Sequence, residues 1–175
     1  MPRIVPSPWR NMKTCRNAFL MAAASMLASP AADAQQAVYL VRHADRLDDS
    51  ADTALSAAGE ARAASLAALL RDAGITAIYT SEYRRTINTA QPLAAALKLT
   101  PVTVPARDLN ALVKRVKESS GKDVVLIVGH DKTVPDILKS FGYPGEVRIG
   151  SAEYDKLFVL VPSGSGAPVV LRLRY

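Results

Sequence analysis

Thiols and imidazoles are scarce in this 175-residue chain. There is one cysteine, Cys15, and there are two histidines, His43 and His130. One thiol excludes a disulfide within the chain. Cys15 also precedes the apolar stretch near the N-terminus, so it is not placed as a lipid-attachment cysteine would be. Long apolar runs are missing too. The stretch from Ala18 to Leu27 is too short for a membrane-spanning helix. No Gly-rich phosphate loop of the Walker kind occurs, which argues against a nucleoside triphosphatase. No basic stretch is interleaved with aromatics, so nucleic acid is not an expected partner. The net charge of +6 is unevenly placed. Arg3, Arg10, Lys13 and Arg16 stand in the first 34 residues against Asp33 alone. Taking these from 22 basic and 16 acidic residues leaves 18 and 15, a net of only +3. No internal repeat is present, and no linker is long enough to divide the rest.

The N-terminal stretch has the organisation of an export signal. Arg10, Lys13 and Arg16 form a basic start, Ala18 to Leu27 an apolar middle, and Ala32-Asp33-Ala34 a small-residue cleavage site. The expectation is a signal peptide over residues 1–34, cleaved after Ala34, and one domain over residues 35–175. Such a protein would be periplasmic or secreted, without stable membrane insertion after cleavage. A start at Met12 would give a leader of more usual proportions. A chain trimmed after Ala34 contains no cysteine and therefore no thiol chemistry.

The remaining chain is arranged around Ala37-Val38-Tyr39-Leu40-Val41-Arg42-His43-Ala44-Asp45. Five apolar residues read as a strand buried on both faces, ending in an arginine and a histidine. Val124-Val125-Leu126-Ile127-Val128-Gly129-His130 repeats the arrangement. Both histidines therefore fall at the carboxyl ends of buried strands, where open α/β sheets bind ligands. Between them, Ser56 is placed to cap a helix that Gly74 ends. Ile75 to Thr80 reads as a strand. Ser81 is placed to cap a helix carrying Tyr83, Arg84, Arg85 and Thr86, which Pro92 breaks or kinks before Leu97. Pro101 to Val104 reads as a short strand, Arg107 to Ser119 as a helix, and Gly121 as the turn that follows it. Thr133-Val134-Pro135-Asp136 is spaced as a capping box for a helix ending at Gly142. Val147 to Ile149 reads as an edge strand. Leu157 to Val161 and Val169 to Arg174 read as a closing pair joined by Pro162 to Pro168. In the last of these, Leu171, Leu173 and Tyr175 alternate with Arg172 and Arg174, implying one wet face. Strands alternating with helices predict a three-layer α/β/α sandwich with a mostly parallel central sheet.

Three junctions at strand ends deliver cationic or ionisable groups: Arg42 with His43, Arg84 with Arg85, and His130. The second and third lead into helix N-termini, which favour anions. Two arginines and two histidines would form a pocket for a tetrahedral oxyanion, and phosphate suits guanidinium forks.

Taken together, these motifs resemble the histidine phosphatase superfamily, which includes the phosphoglycerate mutases. The matching residues are Leu40-Val41-Arg42-His43-Ala44-Asp45, Leu55-Ser56-Ala57-Ala58-Gly59, Ile78 to Thr86 with Thr89-Ala90, and Val125 to His130. The chain looks most like the small members that lack large insertions. The resemblance implies a phosphatase acting on phosphomonoesters or phosphohistidine, of histidine acid phosphatase type, without metal or other cofactor. By position it makes His43 the nucleophile. Arg42, Arg85 and His130 become the groups that bind the phosphoryl oxygens. Arg85 is preferred to Arg84 because it lies four residues after Ser81, as in the family. The family's general acid is often a glutamate, and no glutamate stands in a matching setting. Asp108 is the candidate by position, with Asp45 and Asp131 as alternatives beside the two histidines. Small members can lack this acid and act on good leaving groups such as phosphohistidine.

Four other readings compete. His43-x-Asp45 and His130-Asp131 could ligate a metal, although Arg42 beside His43 would repel a cation. The same pocket could bind a phosphorylated ligand without turnover. A phosphomutase would need a lid insertion, for which the chain is too compact. A purely structural reading treats the histidines as core residues and the arginines as surface charge, and leaves four co-located motifs unexplained.

Overall fold

The computed structural model describes residues 37–118, 123–163 and 166–175, together with Met1. The expected signal peptide over 1–34, Ser119 and the Gly121 turn lie outside the described residues. All the elements named below belong to the compact unit Ala32–Tyr175.

In chain order the elements are β1 (Val38–Arg42), α1 (Ala57–Leu70), β2 (Ala77–Thr80), α2 (Arg84–Leu97), β3 (Val102–Thr103), α3 (Leu109–Glu118), β4 (Val125–Gly129), α4 (Thr133–Ser140), β5 (Lys156–Val161) and β6 (Val169–Arg174). The sheet runs β3-β2-β4-β1-β5-β6. The first four strands are mutually parallel; β5 and β6 each run antiparallel to the neighbour before them. Two apolar strands, β1 and β4, lie side by side at the centre, with Leu40 opposite Ile127 and Arg42 opposite Gly129. That register alone brings His43 and His130 to the same edge of the sheet.

Alternation along each strand sorts the core into two halves. Val38, Leu40, Val125, Ile127, Phe158 and Leu160 face α3 and α4, packing with Val116, Val134, Ile137 and Leu138. Val41, Ile78, Leu126, Val128, Leu157 and Val159 face α1 and α2, packing with Leu66, Leu70, Leu93 and Ala94. Burying a side chain such as Leu66, Leu93 or Ile137 contributes roughly 1.5–3 kcal/mol. The result is the expected three-layer α/β/α sandwich.

Local expectations fared differently. Ser56 caps α1, accepting from the Gly59 amide. Gly74 and Gly142 adopt positive φ after their helices. Pro92 does not break α2, which runs through to Leu97. The amide it lacks would have bonded to the carbonyl of Asn88, on the exposed side of the helix where water can serve instead. Ser81 is not the cap of α2: that position belongs to Tyr83, with no side-chain cap. No capping box forms at α4 either. Lys132 holds its cap position, and Thr133 Oγ1 accepts from the His130 amide at 2.8 Å. Val147 to Ile149 forms no strand, although Val147 is buried. On β6 the apolar positions Leu171 and Leu173 remain about half exposed, so both faces of that strand are wet.

One glycine fixes how the first loop meets its helix. A Cβ on Gly59 would overlap the carbonyl oxygen of Asp45. That oxygen accepts from the Ser56 amide at 3.0 Å, so the backbone after His43 lies directly on the first turn of α1. Gly59→Ala should therefore destabilise the fold by about 1–3 kcal/mol. Urea unfolding will measure it, and an unchanged midpoint would show that the Asp45 segment yields freely.

Candidate active site

The carboxyl ends of β1 and β4 bring two imidazoles together. The rings of His43 and His130 are 5.4 Å apart between centroids, inclined at 63°. The His43 amide donates to the Gly129 carbonyl at 2.9 Å, which locks the two strand ends to each other. A Cβ on Gly129 would lie 2.8 Å from Thr133 Oγ1. The missing side chain thus lets the start of α4 close against the end of β4.

His43 is 3% exposed, and its Nδ1 lies 2.8 Å from the carbonyl oxygen of Ala44. A carbonyl can only accept, so Nδ1 carries the proton and Nε2 keeps a free lone pair. Burial lowers the His43 pKa to about 4, reinforced by His130, Arg42 and Arg85 and opposed by the Ala44 bond. The imidazole is therefore neutral at neutral pH. His130 is likewise lowered to about 4, first by burial and then by Arg85. Its Nε2 lies 3.0 Å from Ser81 Oγ, and its Nδ1 lies 3.5 Å from Arg85 Nη2. Arginine can only donate, so Nδ1 accepts and Nε2–H points to Ser81. This accounts for Ser81: its hydroxyl is spent on His130 and Thr86 rather than on capping α2.

Both expected arginines reach the site. Arg42 is 4% exposed and donates through Nη1 to the carbonyls of Gly150, Ser151 and Glu153. Arg85, on the first turn of α2, donates to the carbonyl of Ala51 at 2.8 Å. Among the described residues neither has a carboxylate within ion-pair distance. The Nε of each is buried without a partner. Arg84 points elsewhere: it is exposed, and its amide donates to Asp52.

Two tyrosines that sequence reasoning did not select complete the site. Tyr154 lies beneath the Arg42 guanidinium at 4.1 Å and meets the His43 ring at 5.9 Å. Tyr83 lies beneath Arg85 at 4.2 Å and stands edge-on to His130 at 5.4 Å. Tyr83 was legible as a neighbour of Arg85. Tyr154 comes from a loop with no motif, so no pattern pointed to it.

The candidate acids are otherwise engaged. Asp108 stands exposed at the start of α3, and its Oδ1 accepts from the Ala111 amide. Asp45 is paired with Arg62 at 2.6 Å. Asp131 accepts from the Lys132 amide. The structure thus gathers Arg42, His43, Arg85 and His130, and gives each of the three aspartates a structural bond.

Two depressed imidazole pKa values set a pH dependence of stability. Between pH 6.5 and about 4 the unfolded chain binds protons that the folded chain refuses. Stability from these groups is complete above pH 6.5 and declines as pH falls toward 4, with a slope of up to roughly 2.7 kcal/mol per pH unit. Urea midpoints collected in buffers free of oxyanions should follow this course. The decline should flatten in a His43→Asn, His130→Asn double variant; an equally steep decline there would assign it to other groups.

A family model described as histidine phosphatase superfamily, branch 1, matches residues 38–108. No curated protein sequence matches the chain. Among solved structures, the protein histidine phosphatase SixA in complex with tungstate superposes with a TM-score of 0.65 at 19% identity, covering 79% of this chain and 97% of that one. A mycobacterial glucosyl-3-phosphoglycerate phosphatase gives 0.61 at 13% identity, covering 80% and 98%. A phosphoserine phosphatase from Entamoeba histolytica, bound to 3-phosphoglyceric acid, gives 0.59 at 14% identity, covering 80% and 97%. At such identities these likenesses establish the fold, while the sequence match covers the strands and helices that carry Arg42, His43 and Arg85. The chain thus has the fold of these phosphatases, and its residues 38–108 are similar to the histidine phosphatase superfamily.

Proposed function

We propose that this protein is a phosphatase that hydrolyses phosphomonoesters or phosphohistidine through a phosphohistidine intermediate on His43. The observation that carries the reading is a neutral imidazole beside two arginines that, among the described residues, have no carboxylate within ion-pair distance. Nε2 of His43 attacks phosphorus, and the bond from phosphorus to the leaving group breaks with its electron pair going to that group. Water then attacks the phosphohistidine, the phosphorus–nitrogen bond breaks, and the pair returns to Nε2. Arg42 and Arg85 donate to the equatorial oxygens as charge moves. Arrival of a dianion raises the pKa of His130, and protonation at Nδ1 then frees the Arg85 donor and adds a further cation to the site.

The engagement of Asp45, Asp108 and Asp131 supports substrates whose leaving groups need little help. Phosphoramidates such as phosphohistidine, and aryl phosphates, fit that description. Metal independence is part of the proposal: among the described residues no three of His, Cys, Asp and Glu stand together as ligands would. Export to the periplasm or medium is a further part, supported by the leader pattern alone. The same engaged aspartates favour one second reading, a module of this fold that binds a phosphorylated ligand without turnover.

A panel of phosphoramidates, aryl phosphates and alkyl phosphates, assayed with chelator present, tests the reading. Wild type should hydrolyse the first two classes faster than the third. His43→Ala should lose at least about a thousandfold in kcat while still binding phosphate. Arg85→Ala should weaken phosphate binding and slow turnover together. Phosphate binding without hydrolysis of any compound would favour the binding module; activity abolished by chelation and restored by a divalent cation would overturn the metal-free mechanism.

A further inference from the structure

Arg42 is held by a single short segment more than a hundred residues away in the chain. Its Nη1 donates to the carbonyls of Gly150 and Ser151 at 2.9 Å and of Glu153 at 3.2 Å, and Tyr154 stacks on its face. Five consecutive residues therefore supply three acceptors and an aromatic floor. The segment is neither helix nor strand, so its shape needs another source. Glu153 provides it. Glu153 Oε2 accepts from the Gly150 amide at 2.7 Å, and the Glu153 amide donates back to the Gly150 carbonyl at 3.0 Å. That carbonyl is one of the three that hold Arg42. Glu153 is in turn fastened to the sheet. Its Oε2 lies 2.6 Å from Lys156 Nζ, and its Oε1 lies 3.6 Å from Arg174. Lys156 and Arg174 face each other across β5 and β6, so the carboxylate also relieves a like-charge pair. A Cβ on Gly150 would approach Glu153 Oε2 to 3.2 Å, which leaves little room for any other residue there.

We infer that residues 150–154 form a positioning strap for the phosphoryl site, with Glu153 as its staple and Tyr154 as the wall beside His43. The strap points three carbonyls at one guanidinium nitrogen and so fixes the orientation of the whole group without a carboxylate. Glu153 is a positioning residue: it acts through Arg42 and touches no substrate. This inference rests on the proposed phosphatase reading, because it assigns Arg42 to the oxyanion.

Vanadate, as a phosphate mimic, is the probe, with the full-length protein and melting temperature recorded for each variant. Glu153→Ala should weaken vanadate binding about tenfold and raise KM by a similar factor, with kcat changed less. Glu153→Gln keeps an acceptor for the Gly150 amide and should restore most of the affinity. Tyr154→Leu should weaken binding while Tyr154→Phe does not, an arm that stands if Glu153→Ala fails to fold. Wild-type vanadate affinity in Glu153→Ala, or a Glu153→Gln protein as weak as Glu153→Ala, would overturn the staple. A wild type that binds no vanadate would instead overturn the phosphatase reading, and the inference with it.

Discussion

Two guanidinium groups that, among the described residues, have no carboxylate within ion-pair distance are the constraint on which this site depends. A buried arginine is ordinarily satisfied by an acid, and each pairing would cancel the charge that an oxyanion needs. Here the fold uses neutral partners instead. Arg42 is gripped by three carbonyls and a tyrosine face, and Arg85 by one carbonyl and a tyrosine face. Dipoles and π-faces orient a cation without discharging it. Asp45 is diverted to Arg62, and Glu153 to Lys156 and Arg174, while Asp52 and Asp131 act on Arg85 only from beyond ion-pair distance. The same uncompensated charge helps hold both imidazoles neutral, as an attacking nitrogen must be.

The rest of the architecture delivers these groups to one edge. Parallel pairing of β1 with β4 sets Arg42 opposite Gly129, and the His43 amide donates across that junction. Glycines at positions 59 and 129 allow two helices to approach more closely than a Cβ would permit. Thr89 links the layers: its hydroxyl accepts from the Ala44 amide and donates to the Arg85 carbonyl. The loop after His43 and the helix bearing Arg85 are thus joined through one side chain. Packing, register and chemistry are coupled at this edge, so a change in any one reaches the others.

Much of this was legible in the sequence, and what escaped shares a cause. Continuous apolar runs that end in a charged residue identify buried strands and their carboxyl ends, so the placement of Arg42, His43 and His130 at one edge of the sheet could be read directly. Ser56 could be read as a cap because its partner, Gly59, is three residues away. The choice of Arg85 over Arg84 followed from family spacing, and the structure leaves Arg84 exposed. Ser81 and Thr133 look like caps by local pattern, yet other partners claim both hydroxyls, one across the fold and one three residues back in the chain. Ser81 serves His130, and Thr133 serves the His130 amide. The rule by which Pro92 breaks or kinks a helix weighs the lost bond alone, whereas α2 runs through it where the residue that loses the bond, Asn88, is exposed. No local code assigns Tyr154 or the strap around Arg42 its contacts, because the partners lie more than a hundred residues away. Local rules find what neighbours determine; they miss side chains claimed across the fold.

The central claim is that His43 itself carries the phosphoryl group. Its most direct test is to mix the wild type with radiolabelled phosphohistidine or aryl phosphate, quench in alkali on the millisecond scale, digest, and locate the label. A label that survives alkali, is lost in acid and maps to the peptide containing His43 is the predicted result. A label on His130, or on a hydroxyl or carboxyl group, would contradict the account.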